Sequence, residues 1–380
     1  QLLAEGTALA PIWFGVAPGS GGSWGHLVIN GAVGSPESRI AFAHFTGNGG
    51  SPCIEVAGGT VWLDHLTFGN PARPYLALDG ASFEVSRCVF PTATAAFELV
   101  HGTQGIKAGG RGIIRECFFG AVNGYNDVID FTGGNRDAGQ PILQFFYNVF
   151  LGSGDDLLDL DGTDAWVEGN IFLHTHRNGS PDSASAVSGG NNGSATSEIT
   201  LIRNLIFDCD HVATAKQGNF YTLLHNTIVH TTKAGGVDTA SAVVNLADDG
   251  TTAGRGVYLE GNVIVDAENL MRNYDNAVST VTLSNNVMPF IWTGPGGGNT
   301  TNDARLKYIP SNVEAQFATW EQAQVMWDWF SVRSGSPAIG AGPNHADAGA
   351  VIPHGVTISG EPASPTTATG AMLAVGTAFL

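Results

Sequence analysis

FFYNVF, Phe145 to Phe150, returns twenty-two residues later as VEGNIF, Val167 to Phe172. Both have the form apolar-x-x-(Asn/Cys)-apolar-(Phe/Val/Ile), and the same phrase runs through most of the chain. Earlier copies are LDHLTF (Leu63 to Phe68), VSRCVF (Val85 to Phe90) and IRECFF (Ile114 to Phe119). Later ones are IRNLIF (Ile202 to Phe207), LHNTIV (Leu224 to Val229), LEGNVI (Leu259 to Ile264) and LSNNVM (Leu283 to Met288). Their last residues are separated by 22, 29, 31, 22, 35, 22, 35 and 24 positions. A fixed minimum with additions of variable size predicts one coil of a solenoid whose loops differ in length.

Side chains at equivalent positions then stack. The fourth position carries Cys88, Cys117, Asn148, Asn170, Asn262 and Asn286. A repeated Asn can pass amide hydrogen bonds from coil to coil and satisfy turn backbone that would otherwise be buried unpaired. The last position predicts an apolar column of Phe68, Phe90, Phe119, Phe150, Phe172 and Phe207. The four cysteines (Cys53, Cys88, Cys117, Cys209) form no CxxC pair, which argues against a zinc knuckle. Cys88 and Cys117 read as stacked thiols, with a disulfide as the alternative.

Composition agrees with an all-β chain. Charged residues are 13% of 380, while Gly reaches 52, which favours strands and tight turns over a helical bundle. A net charge of −18 leaves no basic stripe for nucleic acid, and no apolar run reaches the ~18 residues of a membrane span. Residues 1–27 are expected to form an irregular N-terminal cap and 28–290 the solenoid. Residues 291–355 form a C-terminal cap, in which Val313 to Phe330 has helical spacing. Its Phe317, Trp320, Val325, Met326 and Trp329 are expected to cover the C-terminal end of the coils. Residues 356–380, including GEPASPTTA (Gly360 to Ala368), read as a linker or the start of a further module. The expectation is a secreted or cell-surface monomer, its leader removed, within a larger multidomain protein.

The chemistry concentrates in NDVIDFTG (Asn126 to Gly133) and its near copy DDLLDLDG (Asp155 to Gly162). Superposed, they match Asp127 with Asp156, Asp130 with Asp159 and Thr132 with Asp161. On adjacent parallel strands such partners lie about 4.8 Å apart. Alternation turns Leu158 and Leu160 inward and Asp130, Asp159 and Asp161 outward. Asp127, Asp155 and Asp156 belong to the turns just upstream. Six aspartates in one patch call for a cation or shared protons, and calcium, which takes several carboxylate oxygens, fits. A solvated acidic edge of turn-forming Asp residues is the alternative. In the same frame Asp182, Ser183, Ala186 and Ser188 fall beside Asp155, Asp156, Asp159 and Asp161. Asp210, Thr214 and Lys216 follow on the next coil, and Lys107 falls beside Thr132. His174, His176 and Arg177 open the loop after the acidic coil, and His101 and Glu98 lie upstream. For each of these an ordinary surface role is the competing reading.

The phrase resembles the right-handed parallel β-helix of the pectin-lyase-like superfamily from about Val28 to Met288. The resemblance implies that fold, closed by a short C-terminal helix, and a groove on one parallel sheet that takes an acidic polysaccharide or other glycan. Several lyases of that superfamily hold calcium on Asp side chains and use Lys or Arg as base. By that likeness Asp127, Asp130, Asp155, Asp156 and Asp159 hold calcium, Asp161 supports them, Lys216 is the base and Arg177 binds a sugar acid group. His176 and Lys107 are further catalytic candidates. Polygalacturonase-like members instead pair carboxylates for inverting hydrolysis, but their Gly-His-Gly and Arg-x-Lys are absent from the matching coils. A non-catalytic, calcium-stiffened glycan-binding module is the third reading.

Overall fold

The structure, a computed structural model, describes residues 1–178, 184–232, 241–248 and 250–351, with the backbone of two further strands at Val356–Ser359 and Ala374–Thr377. Asp182, Ser183 and Gly360 to Ala368 lie outside the described residues.

The chain winds as a right-handed parallel β-helix with three ladders of parallel strands. The ladder that carries the acidic residues runs from Leu27–Asn30 to Met271–Arg272. Its central strands are Val100–Thr103, Ile129–Thr132, Leu158–Asp161, Ser185–Gly189, His211–Ala215 and Ala242–Asn245. Each coil then passes through a first lateral ladder (Leu143–Phe146, Ala165–Glu168) and a second (Val149–Phe150, Ile171–Thr175). Along every strand alternate residues enter the core, as with Ile129, Phe131, Leu158 and Leu160.

Between the two lateral ladders the chain turns a corner on one residue of positive φ, such as Tyr147 (56°), Arg203 (53°) or His225 (52°). The Asn that follows binds the next coil. Backbone N–H groups of Asn148, Asn170, Asn204, Asn226 and Asn262 donate to the Oδ1 of the next Asn at 2.8–2.9 Å. Their Nδ2 groups donate to core carbonyls such as Ile114 O and Val167 O. The ladder extends beyond Asn286 to Asn299. Cys88 and Cys117 occupy the same column as free thiols, with the Cys88 N–H 3.4 Å from Cys117 Sγ.

Two copies of the phrase sit one residue from where the sequence alone places them. Phe172 pairs with Ile206 and Leu173 with Phe207, so the coil reads Leu201 to Ile206 and the next Leu223 to Ile228. That shift brings Asn204 and Asn226 into the ladder and takes Phe207 out of the core column. The ring stack therefore runs Phe45–Phe68–Phe90–Phe119–Phe150–Phe172, at centroid spacings of 4.7–5.6 Å, and continues as aliphatic Ile206.

Both ends differ from expectation. The N-terminal residues are rungs of the helix: Leu3–Glu5 and Ile12–Phe14 pair in parallel with Ser38–Phe45. The C-terminal segment covers the flank of the coils, not their end. Outward residues of the second lateral ladder are apolar (Val149, Ile171, Leu173, Leu205, Val229, Val263), and Ala315, Ala323, Met326 and Phe330 bury them. Within Val313 to Phe330 only Trp320–Ala323 and Val325–Trp329 are α-helical, and Val325 itself is exposed.

Candidate metal centre

The doubled Asp motif is brought together by strand register. Ile129 pairs with Leu158, Asp130 with Asp159 and Thr132 with Asp161. In the turn before these strands the Asp156 N–H donates to Asp127 Oδ1 at 2.9 Å, and the Ser185 N–H donates to Asp156 Oδ1 at 2.7 Å. These bonds fix both carboxylates. One oxygen each from Asp127, Asp155 and Asp156 lies within 4.8 Å of the others. Asp161 Oδ1 accepts the Gly190 N–H, a close approach that a side chain at Gly190 would obstruct.

Burial makes this convergence costly. Asp159 Oδ1 is buried with no hydrogen-bond partner, and burial together with Asp161 pushes the Asp159 carboxyl up to about 8. Burial, then the charges of Asp159 and Asp155, raise Asp127 well above the usual carboxylate range. Burial, Asp155 and Asp127 do the same to Asp156. An all-oxygen donor set with a buried, unpartnered oxygen beside it fits a hard cation, which binds such oxygens at about 2.3–2.6 Å. Soft or nitrogen-seeking metals find no suitable donor in the Asp127–Asp155–Asp156 group.

The next coils complete the surroundings. Ser185 comes beside Asp156 and Ser188 beside Asp159, so the expected placing of Ala186 and Ser188 is two residues out of register. Thr214 follows Ser188 and Asn245 follows Thr214 along the same row. Lys216 is on the coil of Thr214, two residues further along the chain, with its Nζ 3.1 Å from Asp248 Oδ2. Burial lowers the affinity of Lys216 for its proton, but Asp156, Asp248 and Asp159 outweigh it and hold the ammonium above its ordinary range. Asp248, which also accepts from Asn245 Nδ2 at 2.9 Å, escapes the sequence reading. Its signal is an aspartate just past the end of Ala242–Asn245, the strand paired with the one that Lys216 directly follows.

Of the other candidates, His101 lies at the edge of the patch and Lys107 away from it. Val100 pairs with Ile129, which sets Thr103 opposite Thr132. Lys107, four residues on, reaches the first coils, at Ala32 O (2.9 Å) and Thr60 Oγ1 (3.4 Å). It is not beside the acidic centre. His176 Nδ1 lies 2.7 Å from Asp210 Oδ1 and its Nε2 3.1 Å from Asp208 Oδ2. Burial opposes the charge on His176, and the two carboxylates overcome it and push the imidazole up to about 10. The Arg177 N–H donates to Asp210 Oδ2 at 2.8 Å, and His174 Nδ1 binds Asp208 at 2.7 Å. Three of the four ring nitrogens are engaged by carboxylates and the fourth, His174 Nε2, by Ala315 O at 3.2 Å, so the His-x-His is a closed imidazole–carboxylate network. His101, in register with Asp130, has Nδ1 2.7 Å from Glu98 Oε2 and 3.4 Å from Asp130 Oδ2. Asp130 and Glu98 push it up to about 10, so it stands as a cation at the edge of the patch.

No family model and no curated protein matches the chain. Among solved structures it is similar to pectate lyase Pel9A, at 15% sequence identity and a TM-score of 0.47 over 92% of this chain and 87% of that one. Among the described residues no helix is long and apolar enough to cross a membrane.

Proposed function

We propose that the chain is a secreted, calcium-dependent polysaccharide lyase that cleaves a uronate-containing polymer by β-elimination, as a monomeric module of a larger protein. The convergence of the Asp127, Asp155 and Asp156 carboxylates beside the unpartnered oxygen of Asp159 carries this reading. Asp127, Asp155, Asp156 and Asp159 would hold the ion, with Asp130 and Asp161 beside them. A calcium ion bound there supplies an electrophile for the uronate carboxylate and stabilises the enolate-like charge left by proton loss. Lys216 takes the proton from the carbon next to that carboxylate, and Asp248 orients its Nζ. Neutralising Asp156 and Asp159 removes two of the three charges that hold the proton on Lys216.

Asp159 supports a second reading. A carboxyl pushed up to about 8 is a carboxylic acid at neutral pH, as an inverting glycoside hydrolase needs. Incubation with pectate, alginate and glycosaminoglycans separates the two. A lyase yields product absorbing in the ultraviolet through its new double bond and stops on chelation. A hydrolase yields reducing ends without that absorbance and continues in chelator. Glycan binding without turnover in either assay would mark a binding module.

A further inference from the structure

On the side of the coils away from the acidic ladder, the C-terminal segment does not close completely over the flank. It leaves a cavity of about 590 Å³, a size usual for small-molecule sites. The corner column of positive-φ residues forms its floor. Tyr147, Gly169 and Arg203 are successive members, and a Cβ at Gly169 would lie 2.4 Å from the Tyr147 ring. The missing side chain lets that ring lie flat over the corner and widens the gap before Arg203. Trp327 faces this floor from the C-terminal segment, with Gln324 and Asp328 beside it and Glu168 on the coil.

Two aromatic side chains and a mostly apolar lining suit a ligand with an apolar face. The polar groups are of both signs. Glu168 Oε2 accepts the Trp166 Nε1–H at 2.8 Å, and Asp328 is paired with Lys307 at 2.7 Å. The Arg203 guanidinium makes no hydrogen bond or ion pair with any described residue. Carboxylates around one guanidinium disfavour a strongly charged ligand of either sign, whereas both groups pair well with hydroxyls. A half-exposed face of rings and a rim of mixed charge together match a pyranose, apolar on its C–H face and polyhydroxylated at its edge.

We propose that this cavity is a binding site for a neutral sugar, separate from the acidic centre, with one or two pyranose units stacked on Tyr147 and Trp327 and their hydroxyls held by Arg203, Glu168 and Gln324. The test is saturation-transfer NMR on the full chain in chelator. The probes are methyl glycosides of glucose, galactose, mannose, xylose, arabinose and rhamnose, with cellobiose, and with galacturonate and indole as controls. At least one neutral sugar should bind. Its affinity should fall tenfold or more in both Trp327→Ala and Arg203→Gln and stay unchanged in Lys216→Ala. Arg203→Gln removes no packed ring, so it keeps the test decisive should Trp327→Ala unfold. Saturation by no neutral sugar, by indole alone, or by a sugar whose affinity Arg203→Gln leaves intact would overturn the assignment.

Discussion

Asp130 and Asp159 face each other on adjacent parallel strands of one ladder, with Ile129–Leu158 and Phe131–Leu160 fixing the pairing from the core side. A slip of one residue would turn the carboxylates inward and the apolar residues outward, so the core itself specifies where the charges meet. The charge density of the site is thus a consequence of packing. Its cost, with Asp156 buried and Asp127 and Asp159 half-buried, has to be relieved by protons or by an ion.

That relief predicts an unusual pH dependence of stability. Asp159 has a folded-state pKa of about 8, above its unfolded value of about 3.9. Between those values the native state binds more protons than the unfolded chain, so stability falls as pH rises. Its contribution is complete below about pH 4 and lost as pH passes through about 8, and Asp127 and Asp156 act in the same direction. In chelator, calorimetry should show the melting temperature falling from pH 5 to pH 8.5. Added calcium should raise it at pH 8.5 and have little effect at pH 5. A calcium-independent melting temperature at pH 8.5 would remove the metal centre.

Asp159→Asn follows from the same imbalance. The substitution removes a buried charge with an unpartnered oxygen and places an amide beside Ser188 Oγ, which also lacks a partner. Metal-free protein at pH 9 should gain about 1–3 kcal/mol in denaturant unfolding. Calcium affinity should fall at least tenfold and turnover with it. Stability gained where activity is lost marks a residue kept for chemistry.

The fold was largely legible because the repeated phrase records both the inward column and the Asn ladder, and each is a direct consequence of stacking. What the sequence blurred were offsets. IRNLIF offers two apolar residues, Ile206 and Phe207, for one core position, and the aromatic one looks the better match. The register of the ladder decides for Ile206 because Asn204 has to meet Asn170 and Asn226. At the site the two Asp motifs align on identity alone. Ser185 and Ser188 carry no such identity, so matching by residue type set them two residues out. Lys107 failed for a related reason: a position counted along the chain passes through a turn and returns on another side of the rod. The C-terminal segment was readable as amphipathic, but only the apolar outward residues of the second lateral ladder reveal which surface it covers.

Asn204→Ala tests the ladder itself. Asn204 is fully buried, accepts the Asn170 N–H, and donates to Val167 O and Asn226 Oδ1, each at 2.9 Å. Truncation leaves a buried N–H and carbonyl unpaired at about 1–3 kcal/mol each, so a loss of about 3 kcal/mol is expected in equilibrium unfolding. A loss under 1 kcal/mol would mean that water replaces the amide and that the ladder adds little.

Lys216 offers the sharpest separation of binding from chemistry. Its Nζ stands 3.1 Å from Asp248 Oδ2 and is kept protonated by Asp156, Asp248 and Asp159. An amine in that field is ready to accept a proton only after its own has left, so turnover of a uronate polymer should climb with pH on the alkaline side of neutrality. Lys216→Arg preserves the positive charge and the partner but cannot give up its proton. Its kcat should fall by about a thousandfold with KM and calcium affinity within a few-fold of the parent, a loss confined to the proton-transfer step. Asp248→Asn should leave the amine in place but free to turn, and its proton less firmly held. Turnover should then drop by about ten- to a hundredfold while the alkaline limb moves to lower pH. If Lys216→Arg turns over as fast as the parent, the base lies elsewhere, and the next residue to examine is His101, the other cation at the edge of the patch.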